Sequence, residues 1–270
     1  MLILAVLGLV FVLRSLLLFL ILLIALLLVL FLILLLLIVL FVLLITASAV
    51  FLGEITAGNE ARVIVNLGLT AMLVFGTFIA IFVGVGLVSK EIEKRTIYAM
   101  FAKPITRGEF IVGKYFGLCL TILVNVVVMG IGVSLALLYV HRGDLAATIW
   151  GAVTLIYLEL TIIIAVAILF SSFSSPALSA LFTFAIFVIG HFSKSLHEFA
   201  ETLASDVTKK FFEILYYGMP NFSHFSFITN SVYGETPPAT MLGFAALYAV
   251  VYSTILVWAT VLIFRRRNFV

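Results

Sequence analysis

Residues 115–140 read YFGLCLTILVNVVVMGIGVSLALLYV, and none of these positions carries Asp, Glu, Lys or Arg. An uncharged apolar run of this length is typical of a membrane helix, because about 20 residues at 1.5 Å rise cross a hydrocarbon core of about 30 Å. Similar runs recur along the chain. Hydrophobic residues make up 65% of it and charged residues only 10%, against about 25% charged in ordinary soluble domains. The sequence therefore predicts an all-α fold, a polytopic transmembrane helical bundle.

Polar segments on either side of this run divide the chain into six predicted spans within one transmembrane domain, 1–270. The spans cover about residues 24–50, 66–89, 115–140, 148–170, 177–192 and 241–264. The tract from Met1 to Gly53 is too long to cross once as a single helix. Residues 3–20, around Arg14, are therefore predicted to lie as a helix at the cytoplasmic interface. In the external segment 194–240, apolar residues recur at helical spacing and predict an amphipathic helix.

The basic residues predict the orientation of the bundle. They concentrate in residues 90–114 and in Arg265, Arg266 and Arg267. Short cytoplasmic loops carry an excess of Lys and Arg, and four predicted crossings separate the two clusters. Both clusters, and with them both termini, are therefore expected in the cytoplasm, with residues 194–240 outside.

The charged loop between the second and third predicted spans has its own helical pattern. Residues 89–104 predict a short amphipathic helix that ends at Pro104, whose ring would clash with the preceding turn. Thr106 and Glu109 then match a capping box at the start of the next helix. Two interpretations stay open at this point: a loop that only fixes topology, or a docking element that transmits force from a cytoplasmic partner.

The residue pattern of this loop resembles one known family. In the type-2 exporter branch of ATP-binding-cassette (ABC) transporter permeases, the corresponding loop reads approximately E-x-x-x-R-T and then K-P-I-x-R-x-E-F-x-x-G-K. The matching residues here are Glu91, Glu93, Arg95, Thr96, Lys103, Pro104, Arg107, Glu109, Phe110, Gly113 and Lys114. The six-span layout, the large outer segment and the basic tail are also similar, so the resemblance covers roughly residues 50–270. The first 50 residues depart from it, since the family's opening elbow helix bears several charges and only Arg14 is charged here.

This resemblance implies a set of partners and a site. The loop would be a coupling helix seated in a cleft of a separately encoded ATPase, present in two copies. A second permease chain, identical or homologous, would complete a dimer in the plasma membrane, expected to be a bacterial inner membrane. The partners would include membrane lipid and no nucleic acid. The implied coupling residues are Glu91, Glu93, Arg95, Thr96, Lys103, Pro104 and Arg107.

No catalytic, cofactor or metal site is expected in this chain, and ATP and magnesium are expected on the partner subunit. Residues 108–114 match G-x-x-x-x-G-K, but Tyr115 stands where a phosphate-binding loop needs Ser or Thr to hold magnesium. The four histidines fall at span ends or in the outer segment. Cys119 lies within an apolar run and is interpreted as a small buried hydrophobe.

Two polar residues lie within predicted spans. Glu159 is in the middle of the fourth span, where a charge costs about 2.5 to 3.5 kcal/mol on insertion scales. It is either protonated or paired for structural reasons, or it lines a substrate path or senses a subunit interface. Asn125 leaves the same alternatives, with interhelical hydrogen bonding favoured.

Two functions remain open on the sequence alone. The first is the transmembrane subunit of an ABC exporter, which forms the translocation pathway and couples to a separate ATPase. The second is a non-transporting membrane anchor or assembly subunit of a larger complex. The loop at residues 90–114 favours the first, because an anchor does not need a proline-stopped amphipathic helix followed by a capped one.

Overall fold

The structure, a computed structural model, describes residues 59–93, 107–193 and 218–266, all within one unit of the chain, Ile45–Val270. Its helices are α1 (Glu60–Glu93), α2 (Arg107–Tyr139), α3 (Gly143–Ser171), α4 (Pro176–His191), α5 (Ile228–Val232) and α6 (Ala239–Arg266), with a 3₁₀ helix at Phe222–Phe225. These ranges contain no strand, and the predicted all-helical class is confirmed for them.

Four of the helices are long and apolar enough to cross a membrane. The qualifying stretches are Glu60–Gly86, Gly108–Tyr139, Gly143–Ser171 and Ala239–Arg265. Helix α4 is also apolar, but its 16 residues give a length of only about 24 Å. It corresponds to the predicted fifth span. The predicted first span, 24–50, the helix at 3–20 and the amphipathic helix after residue 194 lie outside the described residues.

Short links between α2, α3 and α4 make these helices antiparallel neighbours. His141, with φ of 58°, turns the chain between α2 and α3. After α3, the amide of Ser172 donates to the carbonyls of Ile168 and Leu169. Pro176 then occupies the first turn of α4, where its missing N–H costs nothing and its fixed φ suits the helix.

Helix α3 is the centre of the bundle. Every residue from 159 to 168 is buried, so all faces of α3 are covered at this level. Helices α1, α2, α4 and α6 all contact it. A helix that is apolar and buried all round is the expected core element of a large bundle.

Glycines of α1 allow neighbouring helices to approach closely, as the small residues of this span predict. A Cβ on Gly76 would lie 2.6 Å from Leu160 Cδ1 of α3, and a Cβ on Gly68 would lie 2.8 Å from Val133 Cγ2 of α2. Both distances are shorter than a carbon–carbon contact. The α1 backbone therefore packs directly against side chains of α2 and α3.

Candidate functional site

The predicted coupling residues flank a gap in the described chain. Glu91 and Glu93 lie in the last turn of α1, and Arg107 is the first residue of α2. Arg95, Thr96, Lys103 and Pro104 lie outside the described residues. The structure thus places the two helix ends from which the predicted coupling helix would extend.

Helix α6 ends beside the start of α2. The rings of Phe110 and Phe264 stack with their centroids 6.1 Å apart. Lys114 extends its ammonium group over the same Phe110 ring, 5.5 Å from the centroid. Since Arg265 follows Phe264 directly, Lys114 of the first basic cluster and Arg265 of the second lie at the same end of the bundle, named here the basic end.

The opposite end, named here the loop end, is built differently. Arg62 near the start of α1 lies over the ring of Tyr233, with 5.3 Å between the guanidinium carbon and the centroid. The Pro237 ring packs directly on Gly151 of α3. The residues around Tyr233 and Pro237 therefore cover the loop end, and α6 begins there.

Charge divides unequally between the two ends. Among the described residues, the basic end holds five basic groups and three acidic ones: Lys90, Arg107, Lys114, Arg265 and Arg266, with Glu91, Glu93 and Glu109. The loop end holds two basic and three acidic groups: Arg62 and Arg142, with Glu60, Asp144 and Glu235. The formal charge is therefore +2 at one end and −1 at the other. The excess of Lys and Arg, five residues against two, is the kind of bias that orients membrane proteins.

Among the described acidic and basic residues, Glu159 is the most deeply buried. It lies on α3 about 24 Å from Gly143 and about 18 Å from Ser171, so it is near mid-span. Its side chain is 2% exposed. Its Oε1 atom lies 3.5 Å from Nε2 of His191 at the end of α4, without the geometry of a hydrogen bond. The structure thus identifies His191 as the neighbour of Glu159, which the sequence alone left open.

The short length of α4 explains this contact. The helix starts at the basic end beside the end of α3 and runs antiparallel to it, so after 16 residues its last residue reaches the level of Glu159. An imidazole is then available where an unpartnered carboxylate would cost several kcal/mol. The sequence alone predicts only that His191 lies at a span end, because its depth depends on how short α4 is.

Residues 220–225 cover the Glu159–His191 pair. The Phe222 ring is fully buried and lies with its centroid 5.6 Å from that of His191. The backbone of Gly190 is in direct contact with this segment, since a Cβ there would lie 2.6 Å from the Pro220 carbonyl oxygen. The segment thus packs at the end of α4 and against the pair itself.

Asn221 fixes this segment to two helices. Its Oδ1 accepts hydrogen bonds from Ser193 Oγ at 2.7 Å and from the Ser223 amide at 3.0 Å. Its own amide donates to the Tyr248 hydroxyl of α6 at 3.0 Å. Tyr252 of α6 donates to the Gly218 carbonyl at 3.3 Å. The Asn221-Phe-Ser223 triplet, which matches a glycosylation acceptor, is used here as a structural cap.

The hydrogen bonding of Asn125 differs from the predicted interhelical hydrogen bond. Its Nδ2 donates to the Thr121 carbonyl of the same helix at 2.8 Å. Its Oδ1 is buried without a hydrogen-bond partner among the described residues. The backbone carbonyl of Thr121 accepts this hydrogen bond because a carbonyl four residues earlier in a helix is within reach of an amide side chain.

Two further sequence inferences can be compared with the structure. Residues 108–114 form the first turns of α2, so they cannot be the loop that cradles phosphate. Cys119 is buried, as predicted. In the described ranges, no group of three His, Cys, Asp or Glu side chains is arranged to hold a metal ion.

The long apolar helices, the central buried α3 and the charge asymmetry define a helical integral membrane protein. Comparison with known families agrees: the sequence model described as ABC-2 family transporter protein matches residues 61–269. The chain belongs to this family. No curated protein matches it. The resemblance inferred from residues 91–114 is thereby confirmed at the level of the family, which is one of membrane subunits of ABC transporters.

Proposed function

We propose that this chain is the transmembrane subunit of an ABC exporter, that it forms a translocation pathway with a second permease chain, and that it couples to a separate ATPase through residues 90–114. The supporting observation is the arrangement of the basic end. There the described parts of α1 and α2 stop on either side of residues 94–106, and the Phe110–Phe264 contact brings the basic last turn of α6 beside α2.

The sidedness of the proposal depends on charge. Among the described residues the basic end carries five Lys and Arg residues and the loop end two, so the positive-inside rule puts the basic end in the cytoplasm. The segment between Glu93 and Arg107 then faces the compartment that holds ATP. Both termini are cytoplasmic in this arrangement, and six spans result if residues 24–50 cross once.

The energy for transport would come from the partner subunit. Closure of two ATPase subunits around ATP would move two coupling segments together. A segment at the junction of α1 and α2 can pass that motion to α3, because α1 packs on α3 through Gly76 and Leu160 without an intervening side chain. ATP and magnesium would be held by the ATPase and not by this chain.

A paired substitution tests the coupling assignment. Glu93→Gln with Arg95→Gln leaves Lys90, Lys94, Lys103 and Arg107 to keep the loop inside, so insertion and thermal stability are expected to be unchanged. Removal of one side of a desolvated polar pair typically costs about 2 to 5 kcal/mol of binding. The variant should therefore lose most of its ATPase association and its substrate-stimulated ATP hydrolysis.

The matched control is Arg142→Gln with Asp144→Asn at the loop end. This pair also joins one basic and one acidic residue, at 3.2 Å, but both side chains are about half exposed or more. Exposed pairs contribute little, so association and stimulation should stay at the level of the unaltered chain. Equal behaviour of the two double variants would favour the anchor function, in which residues 90–114 only set topology.

A further inference from the structure

The hydrogen bonding of His191 fixes which of its ring nitrogens faces Glu159. Nδ1 lies 3.2 Å from the carbonyl oxygen of Phe187. A carbonyl can only accept, so Nδ1 carries a hydrogen and donates it. In the neutral ring the other nitrogen, Nε2, is then a bare acceptor. It is this atom that lies 3.5 Å from Glu159 Oε1.

This arrangement requires one additional proton. A carboxylate and a neutral imidazole nitrogen are both acceptors, so they repel each other when neither carries a hydrogen. One proton placed between Oε1 and Nε2 turns the contact into an attraction. The result is the same whether that proton belongs formally to Glu159 or to His191.

Among the described residues, no other cationic group lies close enough to Glu159 to replace that proton. Phe187 and Phe222 flank the imidazole, with centroids 4.6 and 5.6 Å from its own. The elements packed around the pair also carry Tyr115 and Cys119 on α2, Tyr157 on α3, His224 on the 3₁₀ helix, and Tyr248 and Tyr252 on α6. The Lys, Arg, Asp and Glu residues of α1, α2, α3 and α6, Glu159 apart, lie near the ends of these helices and not at its level. His224 and Tyr252 both stack on Tyr248. Within the described part of the chain, the cationic group within 4.0 Å of Glu159 is His191.

The pair is joined to residues 220–225 through the end of α4. The His191 side chain is 30% exposed while that of Glu159 is 2% exposed, so the imidazole is the more accessible of the two groups. Gly190, the preceding residue, contacts the Pro220 carbonyl and the Phe222 ring. A shift of His191 away from Glu159 would therefore displace residues 220–225.

We propose that Glu159 and His191 form a binding site for a single proton, and that this proton holds residues 220–225 against α4. Loss of the proton leaves two acceptors facing each other in an apolar setting, which drives the end of α4 and the segment over it apart. Residues 220–225 are then held against α4 at low pH and released at high pH. This device needs neither an ATPase nor a substrate.

The test uses the purified full chain in lipid nanodiscs, with Cys119→Ala as background and a fluorescent label on Ser226→Cys. Ser226 is exposed and lies next to the 3₁₀ helix. Label anisotropy is followed from about pH 3 to about pH 9, which brackets the ordinary pKa values of carboxyl and imidazole groups. One transition is expected, with anisotropy falling as pH rises. Its slope should be that of one proton, about a tenfold change in the held-to-released ratio per pH unit.

Two variants and a control make the result decisive. Glu159→Gln should keep high anisotropy at every pH, because its amide N–H can donate to Nε2 without an added proton. His191→Gln should also abolish the transition. Asp144→Asn, which neutralises an exposed acid on the same helix, should leave it unchanged. An unaltered chain without a transition, or a transition that persists in Glu159→Gln, would overturn the proposal.

Discussion

The contact between Gly190 and residues 220–225 gives the most quantitative prediction. Gly190→Ala would place a Cβ 2.6 Å from the Pro220 carbonyl oxygen and 2.5 Å from Phe222 Cδ2, where ordinary contacts are about 3.4 to 4 Å. The segment must therefore move by about 1 Å. Overpacking of this kind typically costs about 1 to 3 kcal/mol, while Ala in place of Gly returns at most about 1 kcal/mol of helix propensity. A net loss of about 1 to 2 kcal/mol is expected.

Thermal unfolding of the purified chain measures this loss. At about 2 to 4 °C per kcal/mol for a chain of this size, the transition should fall by about 2 to 8 °C. Gly117→Ala on α2 is the matched control, since a Cβ there meets nothing within 4 Å, and it should not lower the transition. Trimming the ring with Phe222→Leu should rescue Gly190→Ala only in part, because the Pro220 oxygen belongs to the backbone. Equal stability of the two Gly→Ala variants would refute the proposed close approach.

Two further predictions concern topology and the loop end. In sealed cells carrying Cys119→Ala, a membrane-impermeant thiol reagent should label Glu235→Cys and spare Thr106→Cys, and modification of Thr106→Cys from outside would reverse the assigned orientation. Tyr248→Phe removes the acceptor of the Asn221 amide hydrogen bond and should lower the free energy of unfolding by about 1 kcal/mol; an unchanged unfolding transition would show that water replaces this hydroxyl.

The helices could be predicted from the sequence because lipid imposes one simple rule on them. An apolar run must reach across the hydrocarbon core, and all backbone groups within it must be paired internally. The predicted spans at 66–89, 148–170 and 241–264 accordingly fall inside α1, α3 and α6. The helices start earlier than predicted, since α1 already begins at Glu60. Polar residues can extend a helix beyond the apolar core, and hydropathy does not register them.

Only one member of the Glu159–His191 pair could be predicted from the sequence. The position of Glu159 within an apolar run marks it as unusual without any structure. Its neighbour His191 lies 32 positions later in the chain. The contact between the two side chains depends on the lengths of α4 and of the link before it. Asn221 and Tyr248 are likewise joined only by the fold. Pairings of this kind leave no periodic signal in a single sequence.

The central claim is that this chain works as the membrane half of an ABC transporter. Purification of the tagged chain from its native membrane, without crosslinker, tests it most directly. An ATPase subunit should be recovered at one copy per permease chain, in particles that hold two of each. A particle that contains this chain without an ATPase, or a single copy of it as the only membrane subunit, would contradict the account.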